Sequence, residues 1–500
     1  MEGADLVNTT DTGAVAAVVV MAAGAGTRMK SARPKVLHTI AGRSMIQHAV
    51  SAAQALDPGR LVVVVGYEGE QVKAHLAEIA PSALIAVQER LIGTGDAVRA
   101  GMSVLPDVTG IIVVTSGDVP LLEGATLVDL VAAHVAQGNT ATVLTSNVPD
   151  PAGYGRIVRD GDQIARIVEH RDATPSEREI AEINTGVYVF DAVQLRACIA
   201  RLGADNAQGE YYLPDVVALI RADGGRVGAH ELADYLQTEG VNDRVQLAER
   251  TAEFNRRILR RWMLAGVTIA DPASTWIHAD VDLDEDVTIL PGTSLEGATS
   301  IARGAVVGPD TTLIDVEVGE GATVSRTQAT LAEIGPGATV GPFSFLRPGT
   351  RLAADAKVGA FVETKNAQIG VGSKVPHLTY CGDAVLGADV NIGAGTIFAN
   401  YDGERKRVSH VGDHAFVGSD SVLVAPVVIG DDAYVAAGSV ITMDVAPGEL
   451  AVARGRQRDI PGWVERRRQA KSESPPDAAT AASNTPEPGP SGSDSEGDVR

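Results

Sequence analysis

Between Leu283 and Ile441 an aliphatic residue returns at every sixth position, a spacing that fits neither a helix nor an ordinary strand. The unbroken run is Leu283, Ile289, Leu295, Ile301, Val307 and Leu313. The phase slips by one residue at Val318 and Val324. It resumes at Ile334, Val340, Leu346, Leu352 and Val358, and closes with Val411, Val417, Leu423, Ile429, Val435 and Ile441. Such a hexad repeat predicts a parallel β-helix, in which each hexad forms one flat face and three faces close one triangular coil. Each anchor points into a narrow prism and stacks on the anchor one coil away. Glycine often follows the anchor, as in Val307-Gly308, Ile334-Gly335 and Ile429-Gly430. Tight corners suit Gly, Asn and Asp, which tolerate φ > 0, and are expected to exclude bulky residues. The competing architecture, a β-sandwich with turns every eight to twelve residues, does not hold six anchors in one phase. Aromatic residues make up only 4% of the chain, which suits a prism too narrow for rings.

Five hundred residues exceed what one core usually serves, so two or more domains are expected. The formal charge of −22 argues against nucleic-acid or membrane-surface partners attracted by net charge. Two cysteines, Cys198 and Cys381, are too few for a disulfide framework and suit a reducing compartment. Ala14–Ala23 is apolar but too short and too poorly flanked for a signal peptide or a membrane span. The expectation is a soluble cytoplasmic protein.

Ahead of the coil, strand-like runs at 15–20, 61–65, 84–87, 111–115, 140–145, 156–159 and 186–190 are interspersed with helix-like stretches at 44–56 and 70–79. This alternation predicts an α/β, Rossmann-like domain with a mostly parallel sheet covered on both faces. Ligands of such sheets lie beyond the carboxyl ends of the strands. The expected organisation is a flexible leader (1–14), the α/β domain (15–242), an arginine-rich helical linker (243–266), the coil (267–459), a short helix (460–469) and a tail (470–500). The tail is Ser, Pro, Ala and acid-rich, too poor in large apolar residues to offset its ordering entropy.

Gly24-Ala25-Gly26-Thr27-Arg28 follows the first strand directly and precedes Pro34-Lys35. Glycines there let backbone N–H groups approach an anion, and Arg28 and Lys35 supply charge. Neither the dinucleotide fingerprint nor the Walker loop is present. By itself a Gly-rich turn after a strand is as well read as a tight turn as a ligand cradle. With Ala22-Ala23 before it and Met29 after it, the segment resembles the signature of sugar-phosphate nucleotidyltransferases. That resemblance extends to Gln88 with Gly93-Thr94, the segment that reads the uracil edge, and to Asp118 at the end of strand 111–115. It further implies sugar contacts at Gly155, Glu169 and Asn184, and nucleotide contacts at Ala23, Gly24 and Asn242. Mg²⁺ prefers one or two protein oxygens plus substrate phosphates, so Asp118 with Asn242 would suffice. Taken singly, Asp118 is equally well a surface turn acid, and Asn184 or Asn242 a satisfied turn amide.

Two breaks in the hexad spacing fall at Val375–Leu386, which contains His377, and at Ile392–Val411, which contains the insertion 399–406. A solenoid tolerates insertions only as outward loops, which often build its binding face. Histidine is a natural general base for an amine that loses a proton as it attacks an acyl carbon, although a lone His beside a turn is more often structural. Arg347, Lys365, Tyr380, Asn391, Asn400, Tyr401, Ser419, Ala437 and Arg454 fall at positions matching one subfamily. Residues 15–469 as a whole thus resemble the bacterial bifunctional N-acetylglucosamine-1-phosphate uridyltransferase and glucosamine-1-phosphate acetyltransferase.

The resemblance implies a left-handed coil and two successive reactions. The coil acetylates glucosamine 1-phosphate from acetyl-CoA, with His377 as base, Arg347 and Lys365 on the sugar phosphate, and Tyr380 and Asn391 placing the sugar. Ser419, Ala437 and Arg454 then receive acetyl-CoA, whose phosphates suit basic residues such as Arg454; a solvated terminal helix is the bland reading of the arginines there. The α/β domain next transfers a uridylyl group from UTP to N-acetylglucosamine 1-phosphate, giving UDP-N-acetylglucosamine for cell-wall precursors. A homotrimer joined through the coils is also implied. The chain departs from many relatives at Asp96, where they carry His, and at Ser116-Gly117, where some have a bulkier pair. Two rivals stay open at this point: a monofunctional sugar-1-phosphate nucleotidyltransferase with a scaffold coil, and a non-catalytic assembly subunit.

Overall fold

The computed structural model describes residues 14–66 and 69–473. Most of the expected leader, and the expected tail from 474 onward, lie outside the described residues. A mixed sheet in the order 227–231, 141–147, 182–191, 111–116, 15–22, 61–66, 84–88 organises the first part of the chain. Val15–Ala22 runs parallel to both Leu61–Gly66 and Ile111–Ser116. Glu182–Asp191, by contrast, runs antiparallel to its neighbours 111–116 and 141–147, and so does the 155–168 hairpin. The expectation of a mostly parallel sheet holds along this path, in which Glu182–Asp191 alone is reversed. A sequence that alternates strands and helices does not reveal that one strand re-enters between two others from the opposite direction.

Strand pleating sends alternate residues to opposite faces. Val19, Val62, Val64 and Val114 enter one core with helices 94–103, 192–199 and 215–222. Val18, Val20, Val63, Val65 and Val113 enter another with helices 45–54, 70–79 and 124–137. Several of these helices lack clear periodicity in the sequence; Gly124–Gln137 is largely apolar throughout. Ser44 caps helix Met45–Gln54 by accepting from Gln47 N at 3.2 Å.

Arg244–Leu264 is one long helix, capped by Asp243, whose carboxylate accepts from Val245 N and Gln246 N at 2.9 Å. Its Ile258 and Leu259 join the core of the first coil. Asn255, buried, donates to Thr275 O and accepts from Ile277 N, so the helix and the first coil share one clamp. The hairpin Thr39–Ile40/Arg43–Ser44 makes a second junction. Ala279 N donates to Ala41 O at 2.9 Å, and Arg43 Nε pairs with Asp280 at 3.0 Å.

From Thr268 onward short strands stack in parallel, and the unbroken hexad run pairs each strand with the one three hexads later: Leu283 with Ile301, Ile289 with Val307, Leu295 with Leu313. That register places every hexad anchor named above in the buried core. Burying such side chains stabilises by about 1.5–3 kcal/mol each. The chain is therefore a parallel β-helix built on a six-residue period. At the insertion the register lengthens: Ile392 pairs with Val417 and Phe398 with Leu423, one hexad and one residue more than a regular coil.

The corners hold a surprise for the steric rule. Asp315, Asp389 and Asp420 take positive φ as expected, but so do Leu331, Phe343, Phe361 and Leu378. All four of these bulky residues are more than half exposed. The exclusion of large side chains from the corners is thus corrected: an outward-pointing ring meets no wall, and only the backbone carries the strain.

Beyond the last coil strand, Leu450–Ala451, the segment from Ala453 forms a unit of its own. Its helix spans Trp463–Glu473, starting later and running further than the expected 460–469. Among the described residues no helix is long and apolar enough to cross a membrane.

Candidate active sites

The first site lies at the carboxyl ends of strands 15–22, 84–88 and 111–116. A cavity of about 310 Å³ there is lined by Ala23, Gly24, Lys35, Gln88, Thr94 and Asp118, among others. A Cβ on Gly24 would meet nothing within 4 Å, so the space over the loop is open. Gly26 has φ 60°, and a Cβ on it would sit 2.6 Å from Lys35 Cβ. Glycine is what lets the loop close over the Lys35 backbone.

Lys35 Nζ donates to Asp118 Oδ2 and, at 3.3 Å, to Asn242 Oδ1. Ser116 Oγ donates to Asp118 Oδ1 at 2.7 Å, and Val241 N donates to Asp118 O at 2.9 Å. Three segments far apart in sequence thus converge on one ammonium and two hard oxygens. Arg28 sits apart, exposed on the short Thr27–Met29 turn and outside the cavity lining. Gln88 is buried and donates from Nε2 to Gly93 O and to Asp96 Oδ2, both at 3.1 Å.

Gly155 and Asn184 come together on paired strands, with Glu169 just past the end of strand Gln163–Val168. Gly155 pairs with Asn184, and a Cβ on Gly155 would lie 3.2 Å from Glu169 Oε1. Burial pushes the Glu169 carboxyl above the usual glutamate range, and the nearby Asp172 and Asp215 push it further. Asn184 Nδ2 donates to Tyr188 OH at 2.7 Å, and its Oδ1 accepts from Gly186 N. Tyr188, fully buried, thereby fixes the Asn184 amide; in the sequence it reads only as a core aromatic.

The second site lies on the coil. His377 is exposed, at the end of strand Lys374–His377, and its carbonyl accepts from Gly395 N. One coil on, Ala394 O accepts from Asp420 N, and Ser419 O accepts from Gly438 N. The same corner therefore carries His377, Ala394, Ser419 and Ala437 on successive coils. Ala394 was not singled out in the sequence. Asn391 lies on the adjoining face, in register with Lys374 and Phe416.

Around the next face Arg347 Nη1 pairs with Glu363 at 2.8 Å, and Lys365 is in register with Gly382. Asn400, buried, donates to Tyr380 OH at 3.3 Å and to Asp383 Oδ2 at 2.6 Å. A Cβ on Gly382 would fall 2.4 Å from Tyr380 OH, so only glycine lets the tyrosine fold back there. Tyr401 is exposed and pairs with Lys406 across the insertion. The Lys406 ammonium beside Lys365 holds the latter's amine below the usual lysine range. Two cations meeting in this way make a ready anion site. Lys406, Glu363 and Asp383 all went unassigned in the sequence, since the path of the insertion brings Lys406 to Lys365 and Asn400 to Asp383, and the coil register brings Glu363 to Arg347. Arg454 follows the last coil strand, in the unit that starts at Ala453.

Fold and sites together define a two-headed transferase, a nucleotidyltransferase joined to an acyltransferase coil. A family model of the MobA-like NTP transferase domain matches residues 18–182, and one of six bacterial transferase hexapeptide repeats matches 409–442. A protein of Kineococcus radiotolerans named "Bifunctional protein GlmU" is 54% identical, covering 91% of this chain and 93% of its own. Proteins of the same name from Mycolicibacterium vanbaalenii and Mycobacterium tuberculosis are 55% and 52% identical, over 91% and 90% of this chain and 93% and 92% of theirs. The chain belongs to the GlmU family. It is an enzyme with both activities read from the sequence, acetyl transfer to glucosamine 1-phosphate and uridylyl transfer to N-acetylglucosamine 1-phosphate, and its coil is left-handed. The two rivals, a monofunctional enzyme with a scaffold coil and a non-catalytic subunit, are set aside.

Proposed function

We propose that the two reactions run at the two clusters above, with the residue roles that follow. In the coil, His377 takes the proton from the glucosamine 1-phosphate amine as it attacks the thioester carbon of acetyl-CoA, and CoA leaves as the thiol. Arg347, Lys365 and Lys406 hold the sugar phosphate, while Tyr380, Asn391 and Asn400 orient the ring. Acetyl-CoA runs along the corner of His377, Ala394, Ser419 and Ala437, with Tyr401 beside it. The single observation that carries this half is that stacked corner, which aims a small-residue track at an exposed imidazole.

In the α/β domain an oxygen of N-acetylglucosamine 1-phosphate attacks the α-phosphorus of UTP in line, and pyrophosphate leaves. Transfers of this kind need positioning and charge neutralisation more than covalent help. Lys35 supplies charge from within the cavity and Arg28 from its rim. Ala23, Gly24, Gln88, Gly93 and Thr94 hold the nucleotide; Gly155, Glu169 and Asn184 hold the sugar. Asp118 and Asn242 present one carboxylate and one amide oxygen, a donor set that fits Mg²⁺. When bound, the ion adds positive charge at the phosphate oxygens.

A cytoplasmic homotrimer fits this reading. Phe343, Phe361 and Leu378 form an exposed apolar corner within reach of the His377 site, with the two rings stacked at 5.3 Å. Self-association would remove that corner from water. Paired assays test the assignment: His377→Ala should lower acetyl transfer by ~10²–10⁴-fold and spare uridylyl transfer, and Asp118→Ala should do the reverse. Loss of both activities in either folded variant would sink it.

A further inference from the structure

Gln88 is locked in one orientation by its neighbours. A carbonyl and a carboxylate only accept hydrogen bonds, so the side-chain nitrogen of Gln88 must face Gly93 O and Asp96 Oδ2, each 3.1 Å away. Both amide hydrogens are then used. The oxygen Oε1 is left toward the cavity that Gln88 lines, and no donor among the described residues reaches it.

Both acceptors are themselves held. Gly93 has φ 112°, and a Cβ on it would lie 2.4 Å from Tyr211 O, so its backbone has one place to be. Its carbonyl also accepts from Ala97 N as helix Thr94–Ser103 begins. Asp96, in the first turn of that helix, receives Arg99 Nη1 on Oδ1 at 3.1 Å. Arg99 in turn donates to Ile199 O at 3.2 Å and lies over the Tyr211 ring at 4.6 Å. The carboxylate is thus held from behind by an arginine that has two further contacts of its own.

We propose that Asp96 is a positioning residue for base selection. By taking one Gln88 amide hydrogen it commits Oε1 to accept the imide N3–H of uracil, and it disfavours cytosine, whose N3 is itself an acceptor. A histidine at this position can present a donor or an acceptor; a carboxylate presents only an acceptor. The inference rests on the nucleotide-site reading above and adds to it the group that sets which way Gln88 reads.

The test is kcat/KM for pyrophosphate release with UTP and with CTP in the wild type, Asp96→Asn, Gln88→Ala and the double variant. Thermal unfolding of the same preparations reports that each chain is folded. An asparagine amide can either accept from Gln88 Nε2 or donate to Oε1, so the Asp96 half of the lock is lost and only Gly93 O still favours the uracil-reading orientation. The UTP preference of Asp96→Asn should narrow by about tenfold, in part through a rise with CTP, the equivalent of one hydrogen bond to a charged group. In the Gln88→Ala background the same change should have no further effect on the ratio, since the reader is gone. A ratio unchanged in Asp96→Asn, or UTP and CTP falling in parallel, overturns the role of Asp96. If Gln88→Ala itself leaves the UTP preference intact, the nucleotide-site reading falls with it.

Discussion

Asp383 accepts a hydrogen bond from Asn400 Nδ2 at 2.6 Å, joining the middle of one coil to the root of the insertion that follows the next. Asn366 Nδ2 donates to its other oxygen at 2.9 Å, and Asp383 is itself buried. One carboxylate therefore fixes the amide that touches Tyr380 and the first residue of the loop that carries Lys406. Asp383→Ala should cost about 1–3 kcal/mol of stability, the usual penalty for stranding buried polar partners. It should also lower acetyl transfer while leaving uridylyl transfer near wild type. Thermal unfolding with both assays checks this, and destabilisation without any loss of acetyl transfer would count against the link.

Lys35 bridges Asp118 and Asn242, which sit 83 and 207 positions away along the chain. Removing a preorganised charge at a phosphoryl centre typically costs ~10²–10³-fold in turnover, so Lys35→Ala should lower kcat for pyrophosphate release by that order. Its Mg²⁺ half-saturation should not weaken, because the two oxygens lose a competing ammonium. Lys35→Arg should not rescue turnover, since a planar fork does not replace a compact ammonium between two close acceptors. A magnesium titration of the variants decides the point.

Phe343 and Phe361 stack with an interplanar angle of 11° while 55% and 59% exposed. Both take left-handed φ, as do Asp315 and Asp389 at other corners, so Phe361→Asp changes the side chain without a backbone penalty. Sedimentation should find this variant shifted from the proposed trimer toward monomer, with acetyl transfer lost and uridylyl transfer kept. An unchanged trimer would remove this corner from the interface.

Burial raises the Glu169 carboxyl above its ordinary range. A group raised in the folded state adds stability at low pH, and that contribution disappears as pH climbs through the folded value. Glu169→Gln removes a charge that burial penalises. It should therefore raise Tm at pH 7 to 8, with the gain vanishing below the ordinary glutamate range, near pH 4. A gain that is the same at every pH would point to packing instead of charge.

The six-residue period settled the coil before any coordinate. An anchor every sixth residue leaves one inward direction, and three such faces fix which strand meets which: Leu295 on Leu313, Ile289 on Val307. That Gly24, Gly26 and Lys35 come together was equally legible, because they are near neighbours on the chain. What the tertiary structure alone decided is how distant polar groups were paired: Gln88 with Asp96 across a turn, Lys365 with Lys406, Asp383 with both Asn366 and Asn400. Apolar burial follows a period and so is written along the sequence. A hydrogen bond depends on a few tenths of an ångström and on the path of each loop, and no spacing rule encodes either.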